Sequence, residues 1–278
     1  MPYAELSTGI RMYYEEAGAG EPLVLLYGTG GDHTLWEPLR PALADHFRLV
    51  LPDPRGTGRT DKPVEEPWPM ALLAADVAAL LDALGIPAAH LGGLSQGSAV
   101  AQEVAIRHPQ RVLSLSLFNT WGRTDAFLRT LFGHALRLVQ ALDPEDLWAF
   151  NKLMLFSPDA HERRPDLIER FREGYAAATA AAPPEALVRL VEANLGHDAL
   201  DRLGLVRAPT LVLAGEQDMT FMPRYPRQVA ERIPGARFVL LEGEGSSHLM
   251  HLERGEEFLE AALGFLLDAR RRDAASGR

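Results

Sequence analysis

The 278-residue sequence predicts an α/β fold, a mostly parallel sheet with helices on both faces and a helical segment inserted before the last strands. Three observations carry this. Short apolar runs of strand length alternate with helical stretches over residues 1–120. Between Trp121 and Arg207 the alternation stops and only helical patterns remain, before it resumes at "PTLVLAG". A lone serine, Ser95, stands between glycines in "AAHLGGLSQGSAVAQEVAIRH", where a strand pattern turns abruptly into a helix pattern.

The chain opens with two strand patterns, Tyr3–Ser7 and Arg11–Glu15, turning at Thr8-Gly9. "PLVLLYG" is a continuous apolar run, as strands buried on both faces are. A helix is expected from Thr34 to Ala44, then a strand in "FRLVLPD", a turn-rich loop in "PDPRGTGRTDKP" and a helix over "MALLAADVAALLDALG". Ile86–Leu91 reads as the buried strand before Ser95, and Ala99, Val100, Val104 and Ala105 recur at helical spacing after it. "VLSLSLFN" is a further strand. The insertion holds the helix patterns "DAFLRTLFGHALRLVQAL", "PEDLWAFNKLMLF", "RPDLIERFREGYAAATA" and "PEALVRLVEANLG". Three of them begin with proline, which suits a first turn whose N–H groups have no partner inside the helix. "PTLVLAG" and "ARFVLLEG" are strands around a helix in "PRYPRQVAERIPG", and "RGEEFLEAALGFLLDARR" is an amphipathic closing helix. Residues 1–120 and 208–278 therefore form the expected core. Residues 121–207 form an expected lid over the carboxyl edge of the sheet, where ligands of parallel sheets bind.

Composition narrows the function. With 47% hydrophobic and 24% charged residues, the chain has the balance of an ordinary globular protein. Its net charge of −10 opposes attraction to phosphate backbones and anionic membranes, so neither nucleic acid nor membrane is expected as a partner. The locally basic end "ARRRDAASGR" reads as a solvated tail. The absence of cysteine excludes disulfides, thiolate metal sites and a cysteine nucleophile. The first residues lack the basic-then-apolar pattern of a signal peptide, and no apolar run approaches the roughly 18 residues of a membrane span. A cytoplasmic monomer or homodimer is the expectation.

Serine is a common helix N-cap, but capping leaves Gly93 and Gly97 unexplained. "GLSQG" matches G-x-S-x-G in the context that motif needs, a tight strand–turn–helix where small residues let strand and helix pass closely. The helix that follows aims backbone N–H groups at the turn, favouring negative charge that develops there. A serine hydroxyl needs a base, and the base an orienting acid. Asp218, in "LVLAGEQDMTF" beyond one strand, and His248, in "LLEGEGSSHLMHLERGEEF" beyond the next, supply them in the order serine, acid, histidine. Asn119 and Asp125 are alternative orienting groups, and Asp218 could instead cap a helix start. His248 and His251 have a spacing that could hold a metal, but no H-E-x-x-H or third ligand accompanies them, so no metal is expected. "YGTGGDH" with Asp53 imitates a dinucleotide fingerprint, yet His33 replaces its third glycine.

Together these features resemble the α/β-hydrolase superfamily, and in particular its capped serine hydrolases. "PDPRGTGRTD" is similar to a loop of the D-x-R-G-x-G-x-S type, and "GEQD" and the His248 to Glu253 spacing match as well. The resemblance spans nearly the whole chain. It implies Ser95 as nucleophile, His248 as base, Asp218 as its acid, and an oxyanion hole from the backbone N–H groups of Gln96 and Thr29. Tyr27 stands where relatives commonly carry the histidine of a His-Gly-x motif. The implied reaction is cofactor-free hydrolysis of a carboxylic ester or lactone through an acyl-enzyme, as in carboxylesterases and enol-lactonases. Tyr27, Trp121, Trp148, Phe150, Met154, Phe221 and Met222 are the expected pocket residues for a small to medium hydrophobic substrate. Cleavage of a C–C bond or thioester, and a receptor that keeps the three residues with little turnover, are the alternatives.

Overall fold

In the computed structural model, which describes residues 2–141, 144–180 and 182–276, the apolar runs pair into one eight-stranded sheet. Tyr3–Glu5 (β1) and Arg11–Ala17 (β2) form its antiparallel edge. Pro22–Leu26 (β3), Arg48–Pro52 (β4), Ala89–Leu94 (β5), Val112–Phe118 (β6), Thr210–Gly215 (β7) and Arg237–Leu241 (β8) run parallel. The order across the sheet is β1-β2-β4-β3-β5-β6-β7-β8. Every residue of β5 and β7 is buried, because parallel strands are covered on both faces.

Alternation along β3 divides the core in two. Val24 and Leu26 join Leu91, Leu115, Leu117 and Val212 under Met70–Ala83 (α2) and Gln96–Arg107 (α3) on one face. Leu23 and Leu25 join Leu49, Leu211 and Leu213 on the other, together with Leu43 of Arg40–Ala44 (α1). The loop after β4 is fixed to α2 by a buried pair in which Arg55 donates to both oxygens of Asp76, at 2.7 Å each.

Two expected elements change shape. The strand before Ser95 starts at Ala89 and runs through Gly92 and Gly93, which pair with Leu25 and Leu26. Pro87 has no N–H to donate to a ladder, and a side chain at Gly92 would come within 2.5 Å of Leu25, so the glycines belong to the strand. The helix expected over Thr34–Ala44 splits into a 3₁₀ turn, His33–Trp36, and α1, because Pro38 and Pro41 interrupt the run of donors. Asp32 caps the turn, accepting from the Thr34 backbone at 3.0 Å.

After β6 come Ala126–Ala141 (α4), Pro144–Leu155 (α5), Pro158–Arg163 (α6), Pro165–Thr179 (α7) and Pro184–Leu195 (α8). The helix α6 is not among those expected from the sequence; its Ser157 cap accepts from Ala160 N at 3.1 Å. Leu128 and Phe132 of α4 and Leu190 and Val191 of α8 share the core of the α2–α3 face, so the insertion is packed continuously with the sheet. Arg224–Arg232 (α9) lies between β7 and β8, Met250–Glu253 (α10) is a second unforeseen turn of helix, and Gly255–Ser276 (α11) closes the chain, with Phe258 and Phe265 in the core of the α1 face. The basic end, expected as a tail, continues α11 as far as Ser276. Leu142, at the end of an expected helix, and Gly277 and Arg278, in that tail, lie outside the described residues. Among the described residues, no helix is long and apolar enough to cross a membrane.

Candidate active site

Ser95 joins β5 to α3 with φ 54° and ψ −124°, a backbone conformation that costs energy for any residue with a side chain. Its surroundings leave no alternative. A Cβ at Gly93 would lie 2.3 Å from the Gly97 carbonyl oxygen, and one at Gly97 would lie 2.2 Å from that of Leu26. The turn is fastened from both sides: Ser95 N donates to Phe118 O at 3.0 Å, and Ser98 Oγ donates to Ser95 O at 2.5 Å. The side chain is held at the carboxyl edge, half-buried among buried neighbours.

Asp218 and His248 leave the ends of β7 and β8 and meet 30 residues apart in sequence. His248 Nδ1 donates to Asp218 Oδ2 at 2.9 Å, and both residues are almost wholly buried. An ionised carboxylate only accepts, so Nδ1 carries a hydrogen in this bond, and in the neutral form of the ring the lone pair is then on Nε2. The other carboxylate oxygen accepts from the backbones of Thr220 and Phe221, at 2.8 and 2.9 Å, which stops the side chain turning.

Ser95 and His248 open onto one cavity of about 120 Å³, near the ~150 Å³ of an engineered apolar cavity that takes up benzene. Its floor includes Gly28 and Thr29 from the loop after β3; its walls come from α4, α5, α7 and α8. Of the expected pocket residues, Tyr27, Phe150 and Met154 line it. Trp121, Trp148, Phe221 and Met222 are not among its lining residues. Trp121 and Phe221 stack at 4.4 Å, both fully buried, with Phe221 drawn inward by its backbone bond to Asp218. Met222 packs into the same apolar cluster, and Trp148 stacks on Phe171 at 6.4 Å. Phe171, Tyr175, Asn151 and Asn194 were not foreseen as lining residues. Tyr175 Oη donates to the Thr29 carbonyl at 3.3 Å, and burial pushes its hydroxyl pKa up to about 12.

Gln96 follows Ser95 and Thr29 lines the same cavity, and one residue of α8 connects their side chains. Gln96 Nε2 donates to Leu190 O and to Asn194 Oδ1, each at 2.7 Å, and Asn194 Nδ2 donates to Thr29 Oγ at 2.9 Å.

The alternative groups have other partners. Asn119 donates to backbone carbonyls, including that of His248, and Asp125 accepts from Leu128 N at the start of α4. His251 shares a 3.1 Å hydrogen bond with Tyr27, and burial followed by the neighbouring charge of His248 pushes its pKa down to about 3. Burial likewise holds the Tyr27 hydroxyl well above its ordinary pKa. The two histidines thus face different partners rather than a common ligand. Asp32, His33 and Asp53 bring ligand-type atoms within 4.8 Å of one another, but protein groups already use them. Asp32 caps the 3₁₀ turn, and Asp53 holds His33 Nδ1 at 2.5 Å and accepts from Arg59 N at 2.8 Å. This occupies the carboxylate that a nucleotide ribose would need.

A family model described as the alpha/beta hydrolase fold matches residues 21–254. RutD of Azorhizobium caulinodans, whose name proposes carbamate hydrolysis, is 34% identical over 95% of this chain and 98% of its own. Among solved structures, the enol-lactonase from Burkholderia xenovorans LB400 superposes with a TM-score of 0.86 at 27% identity, covering 96% of this chain and 100% of the other. A thermophilic esterase from Thermogutta terrifontis does so at 0.84 and 28%, covering 96% and 98%. With this sheet order, this serine turn and these relatives, the chain belongs to the α/β-hydrolase fold family.

Proposed function

We propose that the protein is a serine hydrolase that cleaves small, uncharged carboxylic esters or lactones through an acyl-enzyme. The observation that carries this is the meeting, in one cavity, of a serine held at φ 54° and a histidine whose Nδ1 is committed to a buried aspartate. Ser95 Oγ attacks the carbonyl carbon while His248 Nε2 takes its proton. The backbone N–H groups of Gln96 and Thr29 receive the oxyanion, the first from the N-terminus of α3, where such groups have no helical partner. His248 then protonates the leaving alcohol, activates water, and returns its proton to Ser95 as the acid departs. No step calls for a cofactor. Residues 121–207 act as a cap that builds the substrate walls.

The lining supports the substrate class. Among the described residues around the cavity, His248 is the one ionisable group apart from the tyrosines. A charged substrate would lose its hydration there without gaining a counter-ion. Leu131, Phe132, Val139, Phe150 and Leu187 suit a short aliphatic or single-ring acyl group. A carbamate ester presents the same carbonyl to the same groups, so the relative's name fits this chemistry.

The test is labelling with a fluorophosphonate and turnover of p-nitrophenyl acetate, a neutral γ-lactone, an aryl carbamate and a carboxylate-bearing ester. We expect stoichiometric labelling of Ser95, none in Ser95→Ala, and turnover of the neutral compounds well above that of the charged one. Ser95→Ala should lower turnover by about 10⁴ or more, and Asp218→Asn by up to about 10⁴ through the wrong histidine tautomer. Labelling elsewhere overturns the nucleophile. A single burst without recycling makes the protein a receptor rather than an enzyme.

A further inference from the structure

The side-chain chain Gln96–Asn194–Thr29 has a direction that can be worked out. Gln96 Nε2 faces the Leu190 carbonyl, which can only accept, so its nitrogen and not its oxygen points at Asn194. Asn194 must therefore offer Oδ1 to Gln96, which leaves Nδ2 to donate to Thr29 Oγ. Thr29 is thus an acceptor in this bond and keeps its own hydroxyl hydrogen, at a residue that lines the cavity. Asn194 and Gln96 are 3% and 4% exposed, so neither amide has solvent as an alternative partner. Asn194 is also fastened by its backbone, whose carbonyl accepts from Thr124 Oγ at 2.6 Å.

From this we infer that Asn194, carried on α8, is a positioning residue that holds the two halves of the oxyanion hole at their working separation and turns the Thr29 hydroxyl toward the substrate. This rests on the serine hydrolase reading above. Gln96 opens α3 and Thr29 lies in the loop after β3; the ladder between β3 and β5 joins them below, and at the cavity the Asn194 amide connects their side chains. Oxyanion stabilisation depends on donors being fixed before charge develops, so a loosened pair loses rate rather than substrate affinity. The segment that shapes the pocket would thereby also assemble the charge-stabilising donors, and a displaced α8 would leave Ser95 and His248 in place but slow.

The experiment compares Asn194→Leu, similar in size but without either hydrogen bond, with the parent. Each is normalised by fluorophosphonate titration, so that only folded, labelled sites are counted. We expect kcat to fall about 10²-fold with KM changed less than threefold. The affinity for an alkyl boronate, which mimics the tetrahedral adduct, should fall in step with kcat/KM, while that for the carboxylic acid product stays level. A packing role would not separate these two affinities. Thr29→Val, which removes the hydroxyl and leaves Asn194 in place, serves if the leucine variant does not fold, and should give the same split. The double variant should then be little slower than either single one. Unchanged kcat per titrated site, or equal loss of boronate and product binding, overturns the role of Asn194 while leaving Ser95 intact. Failure of the parent to label at Ser95 overturns both.

Discussion

The side chain of Asn119 holds the backbone of His248: Nδ2 donates to the His248 carbonyl at 2.8 Å and to that of Ser247 at 3.0 Å. Its Oδ1 accepts from Gly215 N at 2.9 Å, so one fully buried amide ties the ends of β6 and β7 to the histidine loop. The residue sits at φ 44°, a conformation asparagine tolerates better than most.

Replacing Asn119 by alanine should therefore cost about 1–3 kcal/mol for the groups left unpaired and lower kcat/KM about 10²-fold as His248 drifts. Asn119→Gly relaxes the backbone but restores no hydrogen bond, so it should be equally slow. A glycine variant as fast as the parent would assign the effect to strain alone. Urea denaturation and ester kinetics on the pair settle it.

Two buried histidines contribute to the acid side of the stability curve. Burial pushes His197, edge-on to Trp121 at 5.0 Å, down to about 4, and His251 down to about 3. Unfolding frees both to bind protons from about pH 6.5 downward, so stability is full above 6.5 and falls as the pH drops toward those values. Each pH unit in that window costs about 1.4 kcal/mol per histidine. His197→Phe should flatten the slope of unfolding free energy between pH 6.5 and 4.5; an unchanged slope would mean that His197 is protonated in the fold. His33 has the opposite sign. Burial lowers its pKa, but the hydrogen bond and charge of Asp53, joined by the charges of Asp32 and Glu15, outweigh burial and raise it. Its contribution is present below pH 6.5 and is lost as the pH climbs through the raised value.

The Arg55–Asp76 pair, both members nearly inaccessible, predicts an asymmetric response. Arg55→Ala strands a buried carboxylate and should cost about 3–5 kcal/mol, whereas replacing both residues with apolar ones of similar size should cost much less. Denaturation midpoints of the single and double variants measure this; equal losses would refute it.

Glu253 collects three donors. Its Oε1 accepts from Ser157 N at 3.1 Å and Ser247 Oγ at 2.5 Å, and its Oε2 from Ser157 Oγ at 2.5 Å. Glu253→Gln turns an amide nitrogen against one of these donors, so a loss of about 1.5–3 kcal/mol is expected, with faster hydrogen exchange first in α6. Uniform exchange across the fold would show that Glu253 does not anchor that helix.

How much of this was legible in the sequence depended on distance along the chain. The serine turn was, because Gly93, Ser95 and Gly97 impose their constraint within five residues. Asp218 and His248 could be placed because each follows a strand whose apolar run marks the sheet edge. The pocket was harder. Trp121 and Phe221 have the composition of a binding wall, yet they stack on each other, and only the fold decides which face of an aromatic meets a ligand. Asn194 gave no signal at all. Its partners lie 98 and 165 residues away, and an asparagine near a helix end has many local uses. The strand at Ile86–Leu91 was displaced because glycines in Gly92-Gly93 look like a turn when they are in fact crowded ladder positions.

Besides the apolar packing and the side-chain ties of Ser157, Arg164, Tyr175, Arg189 and Asn194, four backbone carbonyls, atoms that every amino acid possesses, attach the helices between β6 and β7 to the rest of the molecule. Thr220 Oγ donates to the carbonyl of Met154, Leu249 N to that of Leu155, Gly58 N to that of Ala178 and Gln96 Nε2 to that of Leu190. Substituting the side chains at those four points leaves the carbonyls where they are. The walls of the cavity are accordingly open to wholesale rewriting, as in a library randomised at Leu131, Val139, Phe150 and Leu187, provided helix geometry is kept. Fixed side chains are needed at the junctions made by Ser157, Arg164, Tyr175, Arg189 and Asn194, and a chimera that respects them keeps the serine turn and the Asp218–His248 pair as they are.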